Sequence, residues 1–261
     1  MSPHPILEVC CGSLGSAEAA VEGGACRIEL CAALSLDGLT PSIGLVRELR
    51  RRFPDLLIHV LIRPREGDFV YSEAELQVME ADIRAAIDAG ASAIVSGALT
   101  AESTVDEDAT ARLVCAAAGL PFTFHRAFDS VRDPFSALRQ LHALGVRRIL
   151  TSGGAPTAEV GIPVLRRLVE QAATLSSSPS NSSPSSSSPT ISSPLNSSPS
   201  SSSPLTILPG GGVNRHNAAR ILRETGATEI HGSCSITLPS GLRQTSADEV
   251  RAVLCHHEDM L

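Results

Sequence analysis

Apolar residues gather in eight short runs, at positions 6–10, 26–30, 56–62, 92–95, 121–125, 147–151, 205–208 and 229–231. Each has strand length, and the stretches between most of them carry helical periodicity. Five glycine sites, Gly23-Gly24-Ala25, Ala89-Gly90-Ala91, Ala118-Gly119-Leu120, Leu144-Gly145-Val146 and Thr225-Gly226-Ala227, follow a helical pattern and precede an apolar run. Glycine there supplies the left-handed residue that ends a helix. Helix starts agree with this order. Ser72…Glu75, Thr104…Glu107 and Ser246…Glu249 have capping-box spacing, and Asp133-Pro134 reads as an N-cap followed by proline at the first helical position. The run at 56–62 is almost continuously apolar, as a parallel strand covered on both faces must be.

Eight strands alternating with helices predict an α/β fold, a (β/α)8 TIM-type barrel in one domain spanning 1–261. A doubly wound open sheet is the runner-up. It usually places Gly-x-Gly-x-x-Gly after its first strand, where this chain has Cys10-Cys11-Gly12-Ser13. One segment stands outside the pattern. Residues 176–204 are almost wholly serine and proline, with a proline every fifth position and no charge. Such a stretch buries too little surface to offset its ordering entropy and is expected to be a disordered insertion before strand seven. A recruiting role for it is a third functional reading, beside the two developed below.

Composition removes whole mechanisms. All 21 basic residues are arginine, so Schiff-base chemistry, lysine-anchored pyridoxal phosphate and a phosphate-loop lysine are excluded. A net charge of −7, with no basic cluster longer than Arg50-Arg51-Arg52, argues against nucleic acid as a partner. That triplet reads as the solvated C-terminal end of a helix. No run approaches a membrane span, and no signal peptide is visible at Met1–Pro5. The seven cysteines include no Cys-x-x-Cys pair, so a cytoplasmic or nuclear protein with reduced thiols is expected.

In a barrel, alternate side chains point inward and chemistry collects at the C-terminal strand ends. Polar residues recur there in a common phase: Glu8 and Cys10, Glu29 and Cys31, His59 and Arg63, Thr123 and His125, then Arg126, Asp129 and His231. Glu8, Glu29, Arg63 and His125 are the candidate catalytic set. They form either a structural polar network or a constellation for a small anionic or phosphorylated metabolite. In the second reading a carboxylate is the base, His125 the acid and Arg63 the anion clamp. No particular reaction is assignable. Cys10 and Cys31 are either two buried thiols or the ligands of a soft ion such as Cu(I). Pro209-Gly210-Gly211-Gly212-Val213 after strand seven, ahead of a helix expected near Asn214, and Gly232-Ser233 after strand eight have the placement of a barrel phosphate site. Gly211, Gly212 and Ser233 are therefore the candidate anion-binding residues.

Several stretches are similar to the CutC family, long labelled copper homeostasis proteins. They are Leu7-Glu8-Val9-Cys10, Arg27-Ile28-Glu29-Leu30-Cys31, Gly38-Leu39-Thr40-Pro41-Ser42, Ile62-Arg63-Pro64-Arg65, Thr123-Phe124-His125-Arg126-Ala127-Phe128-Asp129, Leu150-Thr151-Ser152-Gly153 and Pro209-Gly210-Gly211-Gly212. The resemblance implies a (β/α)8 barrel, a homo-oligomer in cytoplasm or nucleus, and a role in copper handling. It carries Cys10 and Cys31 onto the family's Cu(I)-ligand positions. The chain departs from the family pattern in its Ser/Pro insertion and in a short segment, 235–245, before the last helix. That shortening is expected to uncover the mouth or weaken an oligomer contact.

Overall fold

The eight runs become eight parallel strands: β1 Ile6–Cys11, β2 Arg27–Leu30, β3 Leu57–Leu61, β4 Ala93–Ser96, β5 Phe122–Phe124, β6 Arg148–Thr151, β7 Thr206–Pro209 and β8 Glu229–Gly232. The computed structural model describes residues 5–177 and 204–255. The hydrogen-bonded order is β7-β6-β5-β4-β3-β2-β1-β8, and β7 packs beside β8 to bring the ring nearly to closure. Around it lie α1 Leu14–Glu22, α2 Ile43–Arg52, α3 Glu73–Asp88, α4 Glu107–Ala116, α5 Pro134–Ala143, α6 Ile162–Ser177, α7 Ala218–Thr225 and α8 Ala247–Cys255. No helix among the described residues is long and apolar enough to cross a membrane.

Strand alternation divides the interior in two. Val9, Ile28, Val60, Ile94, Phe122, Ile149, Ile207 and Ile230 join buried helix residues such as Ala17, Leu49 and Ile83 in one core between barrel and helices. Cys10, Cys31, Leu61 and Val95 form a separate buried cluster. Beneath them the barrel is filled by charged and polar side chains, where the fold usually carries branched aliphatic layers.

The local signals hold in part. Ser72 and Glu75 close a reciprocal capping box, and Asp133 caps α5 ahead of Pro134. The Thr104 expectation fails by two residues. Asp106 caps α4, its carboxylate accepting from the Ala109 amide at 2.9 Å, while the Thr104 hydroxyl pairs with Thr100. Asp competes well for an N-cap. Glu249 likewise does not fold back toward Ser246, because it pairs with Arg215.

The arginine triplet ends α2 as expected, but only partly in solvent. Arg51 and Arg52 pair with Glu48. Arg50 instead turns inward, donating to the Gly90 carbonyl at 3.0 Å and the Ser92 hydroxyl at 2.8 Å. Gly90 has φ +98°, and a Cβ there would stand 2.7 Å from Arg50 Cγ, so this glycine both ends α3 and makes room for the arginine. Helix α6 continues to Ser177, two residues into the expected insertion, and the Ser176 hydroxyl accepts from the Leu205 amide at 3.2 Å. The rest of that segment, 178–203, lies outside the described residues. Its flanks meet at the start of β7, the end of the barrel opposite the mouth.

Candidate functional site

The deepest layer is an ion network. Arg27, 1% exposed on β2, places Nε 2.9 Å from Glu8 Oε2 and Nη2 2.7 Å from Glu229 Oε2. Arg148 Nε reaches the same Glu229 oxygen at 2.9 Å. His59 Nδ1 stands 2.7 Å from Glu8 Oε2, and His231 Nδ1 stands 3.1 Å from Glu8 Oε1. Burial pushes the Glu8 carboxyl up, but His59, His231 and Arg27 outweigh it and hold the group well below the usual carboxylate range. A buried charge is tolerable only when paired in this way. Glu8 is fully enclosed, held by its partners, and not among the residues lining the mouth. Sequence reasoning took up His59 and His231 but missed Arg27, Arg148 and Glu229. All three sit at the first position of a strand, where a charged residue reads as a solvent boundary, though Arg27 shares the phase of Glu29 and Cys31.

Above this layer opens a cavity of about 700 Å³ at the C-terminal strand ends, lined by Cys10, Glu29, Arg63, His125, His231 and Gly211, among others. The β1–β2 register pairs Cys10 with Glu29 and places Cys31 one residue beyond β2. The two sulfurs nevertheless stand 3.7 Å apart, both buried. Hydrogen bonding to Cys31, with burial and Glu29 adding to it, holds the Cys10 thiol well above its ordinary pKa. Ligand atoms of Cys10, Glu29 and His231 all lie within 4.8 Å of one another. Burial raises the pKa of Glu29. Burial would lower that of His231, but Glu29 and Glu8 more than reverse it. His231 Nε2 is 3.6 Å from Glu29 Oε2, so thiol, carboxyl and imidazole converge on one point of the wall.

The other side of the mouth is built from Arg63 and His125. Arg63 Nη1 donates to the carbonyls of Leu36 at 2.9 Å and Gly38 at 3.1 Å, and Nη2 to that of Gly67 at 3.0 Å. The Arg63 guanidinium lies over the Phe69 ring, 5.0 Å from its centroid, and Phe69 packs 4.9 Å from the His125 ring. His125 caps the short 3-10 turn Arg126–Ser130, its Nδ1 accepting from the Ala127 amide at 3.3 Å. Burial, with Arg63 adding to it, pushes the His125 pKa down to about 3, so the ring is neutral at physiological pH.

Gly211 and Gly212 also line the cavity, with φ of +98° and +72°. The helix expected near Asn214 begins only at Ala218. Asn214 and Asn217 instead fold the intervening turn, Asn214 N–H donating to Asn217 Oδ1 at 2.9 Å and Asn217 Nδ2 to the Gly212 carbonyl at 3.0 Å. Ser233 lines the cavity too, its hydroxyl engaged with Ser235 at 3.0 Å. Arg126, against Gly211, is paired with Asp129 at 2.9 Å. Segment 235–245 does not simply shorten the path to the last helix. It forms a hairpin of β9 Ser235–Thr237 and β10 Arg243–Thr245, and Ser235 and Arg243 line the cavity.

A parallel eight-stranded barrel with buried thiols and charged groups at the C-terminal strand ends defines the class. The CutC family model matches residues 5–177, and the chain belongs to that family. It is 40% identical to the human copper homeostasis protein cutC homolog over 91% of this chain and 76% of that protein. It is 39% identical to the mouse copper homeostasis protein cutC homolog over 97% of this chain and 82% of that one. The crystal structure of CutC from Streptococcus agalactiae superposes with a TM-score of 0.74 at 31% identity, covering 88% of this chain and 98% of that one. Phosphoribosylanthranilate isomerase of Thermotoga maritima shares the barrel, with a TM-score of 0.56 at 11% identity and coverage of 98% and 99%.

Proposed function

We propose that this chain serves copper homeostasis by binding Cu(I) at the barrel mouth through Cys10 and Cys31. The observation that carries the reading is the 3.7 Å separation of the two sulfurs, Cys10 lining the cavity and Cys31 fully buried behind it. Thiolates are soft donors suited to Cu(I), and imidazole is a further donor copper accepts. The donor set therefore fits: two sulfurs hold the ion, and His231, converging on Cys10, stands in reach as a third ligand. Glu29 is the weaker match for a soft ion and acts as a proton acceptor beside it. The Cys10 thiol is held well above its ordinary pKa, so an ion bound there displaces its proton and binding strengthens as pH rises. The fixed network below, from Glu8 to Glu229, holds the wall that presents these groups. The relatives' names, copper homeostasis protein, agree with this reading.

Anaerobic competition for Cu(I) against a chromophoric chelator tests it. Wild type takes up one equivalent, and Cys10→Ser with Cys31→Ser weakens binding by roughly a hundredfold or more. Unchanged affinity in the double variant overturns the site.

A further inference from the structure

We propose that the same mouth carries a second, separate site, in which Arg63 and His125 bind the oxyanion of a small carboxylate or phosphate compound. It does not depend on copper binding.

Arg63 carries a buried charge that lacks a counter-charge. Arg63 is 5% exposed, and among the described residues no carboxylate comes within 4.0 Å of its guanidinium. Its carbonyl partners, Leu36, Gly38 and Gly67, fix the group but bring no negative charge. The neighbouring Tyr71 hydroxyl does not supply one either, because burial pushes its pKa up to about 12. A buried cation held only by dipoles is costly, and the cost falls when an anion enters. This separates Arg63 from the other cations of the barrel. Arg27 and Arg148 share Glu229, and Arg126 has Asp129.

The donor count points the same way. A guanidinium offers five N–H groups. Three are taken by the carbonyls, which leaves Nε and one hydrogen of Nη2; the Tyr71 hydroxyl interacts with the guanidinium, yet Nε completes no aligned hydrogen bond. His125 adds an independent donor. Its Nδ1 accepts from a backbone amide, so the ring proton sits on Nε2, and Nε2 is also buried without a partner. One strand position below, the Thr123 hydroxyl is in the same condition. The Phe69 ring contacts both groups, with the guanidinium 5.0 Å from its centroid and the imidazole tilted against it at 4.9 Å. A cation with N–H capacity left over and a neutral N–H donor, both lining one cavity with room for a metabolite, make a receptor for an oxyanion. The neutral imidazole matters here, since it donates without taking a proton from the ligand.

Isothermal titration of the copper-free, full-length protein at low ionic strength tests the proposal, with inorganic phosphate and malonate as the two probes. Saturable 1:1 binding of at least one probe is expected, and the preferred probe identifies the headgroup. Arg63→Gln and His125→Phe should each weaken it tenfold or more. Arg63→Lys, which keeps the charge but not the fork, should fall between wild type and Arg63→Gln. Arg84→Ala, which removes an exposed positive charge on α3, should leave it unchanged. A folded Arg63→Lys protein, verified by circular dichroism, keeps the test valid if Arg63→Gln fails to fold. Absence of saturable binding to wild type for both probes, or wild-type affinity in the Arg63 variants, overturns the proposal.

Discussion

Glu8 Oε2 lies 2.9 Å from Arg27 Nε, and both side chains are sealed inside the barrel at 0% and 1% exposure. The contact is an ion pair rather than an aligned hydrogen bond, since neither atom completes one. It ties β1 to β2 beneath Cys10 on β1 and Cys31 just past the end of β2. The sulfurs thus stand on strands whose pairing this ion pair reinforces one layer down.

Removing one member of such a pair strands the other. Arg27→Met leaves Glu8 with only imidazole partners and Glu229 with Arg148 alone. The expected loss is about 3–5 kcal/mol of unfolding free energy, read from the urea midpoint. A loss below about 1 kcal/mol would show that the network is not structural.

His125 gives a pH signature. Its folded pKa is depressed to about 3 from an ordinary 6.5. Below pH 6.5 the unfolded chain takes up a proton that the folded chain refuses. The stability associated with the neutral ring is therefore complete above 6.5 and is lost as pH falls toward 3. Wild type should lose stability faster than His125→Phe by about 1.4 kcal/mol per pH unit between roughly pH 6 and 4. Urea titrations at three pH values measure the difference, and parallel slopes would contradict the assignment.

Gly161 tests the loop that shapes the mouth after β6. A Cβ at this position would fall 1.8 Å from the Ser152 carbonyl oxygen, which is backbone and cannot rotate away. Ser152 N–H in turn holds Asp129 at 2.9 Å. Gly161→Ala should cost about 1–3 kcal/mol. It should also disturb amide resonances of residues 152–154 in NMR spectra, and a silent substitution would contradict this packing.

The barrel was legible because parallel strands covered on both faces must be apolar almost throughout, as in Leu57–Leu61. The phase of the candidate site was legible for the same reason. Period-two alternation alone puts Glu8 with Cys10, and Glu29 with Cys31, on the inner face. The pairing of those groups was not. Arg27 and Glu229 meet across 202 residues, and no local pattern records a contact fixed by strand register. The glycine loop misled for a related reason. Asn217 looks like part of a helix start at Asn214, but its side chain closes a turn ahead of α7. Arg63 was singled out as a candidate from residue type and phase, while its three carbonyl partners come from loops whose paths the sequence does not reveal.

His231 is the expected third copper ligand, and Glu29 is not. His231→Phe should weaken Cu(I) binding about tenfold to a hundredfold, and Glu29→Gln by less than tenfold, in the same chelator competition. The reverse ranking would move the coordination away from the thiol–imidazole wall.

X-ray absorption at the copper edge of the Cu(I)-loaded, full-length protein tests the central claim most directly. Two sulfur neighbours per copper are expected in wild type, one in Cys31→Ser, and none in the double variant with Cys10→Ser. A copper bound only by nitrogen and oxygen in wild type, or the same sulfur count in the double variant, would contradict it.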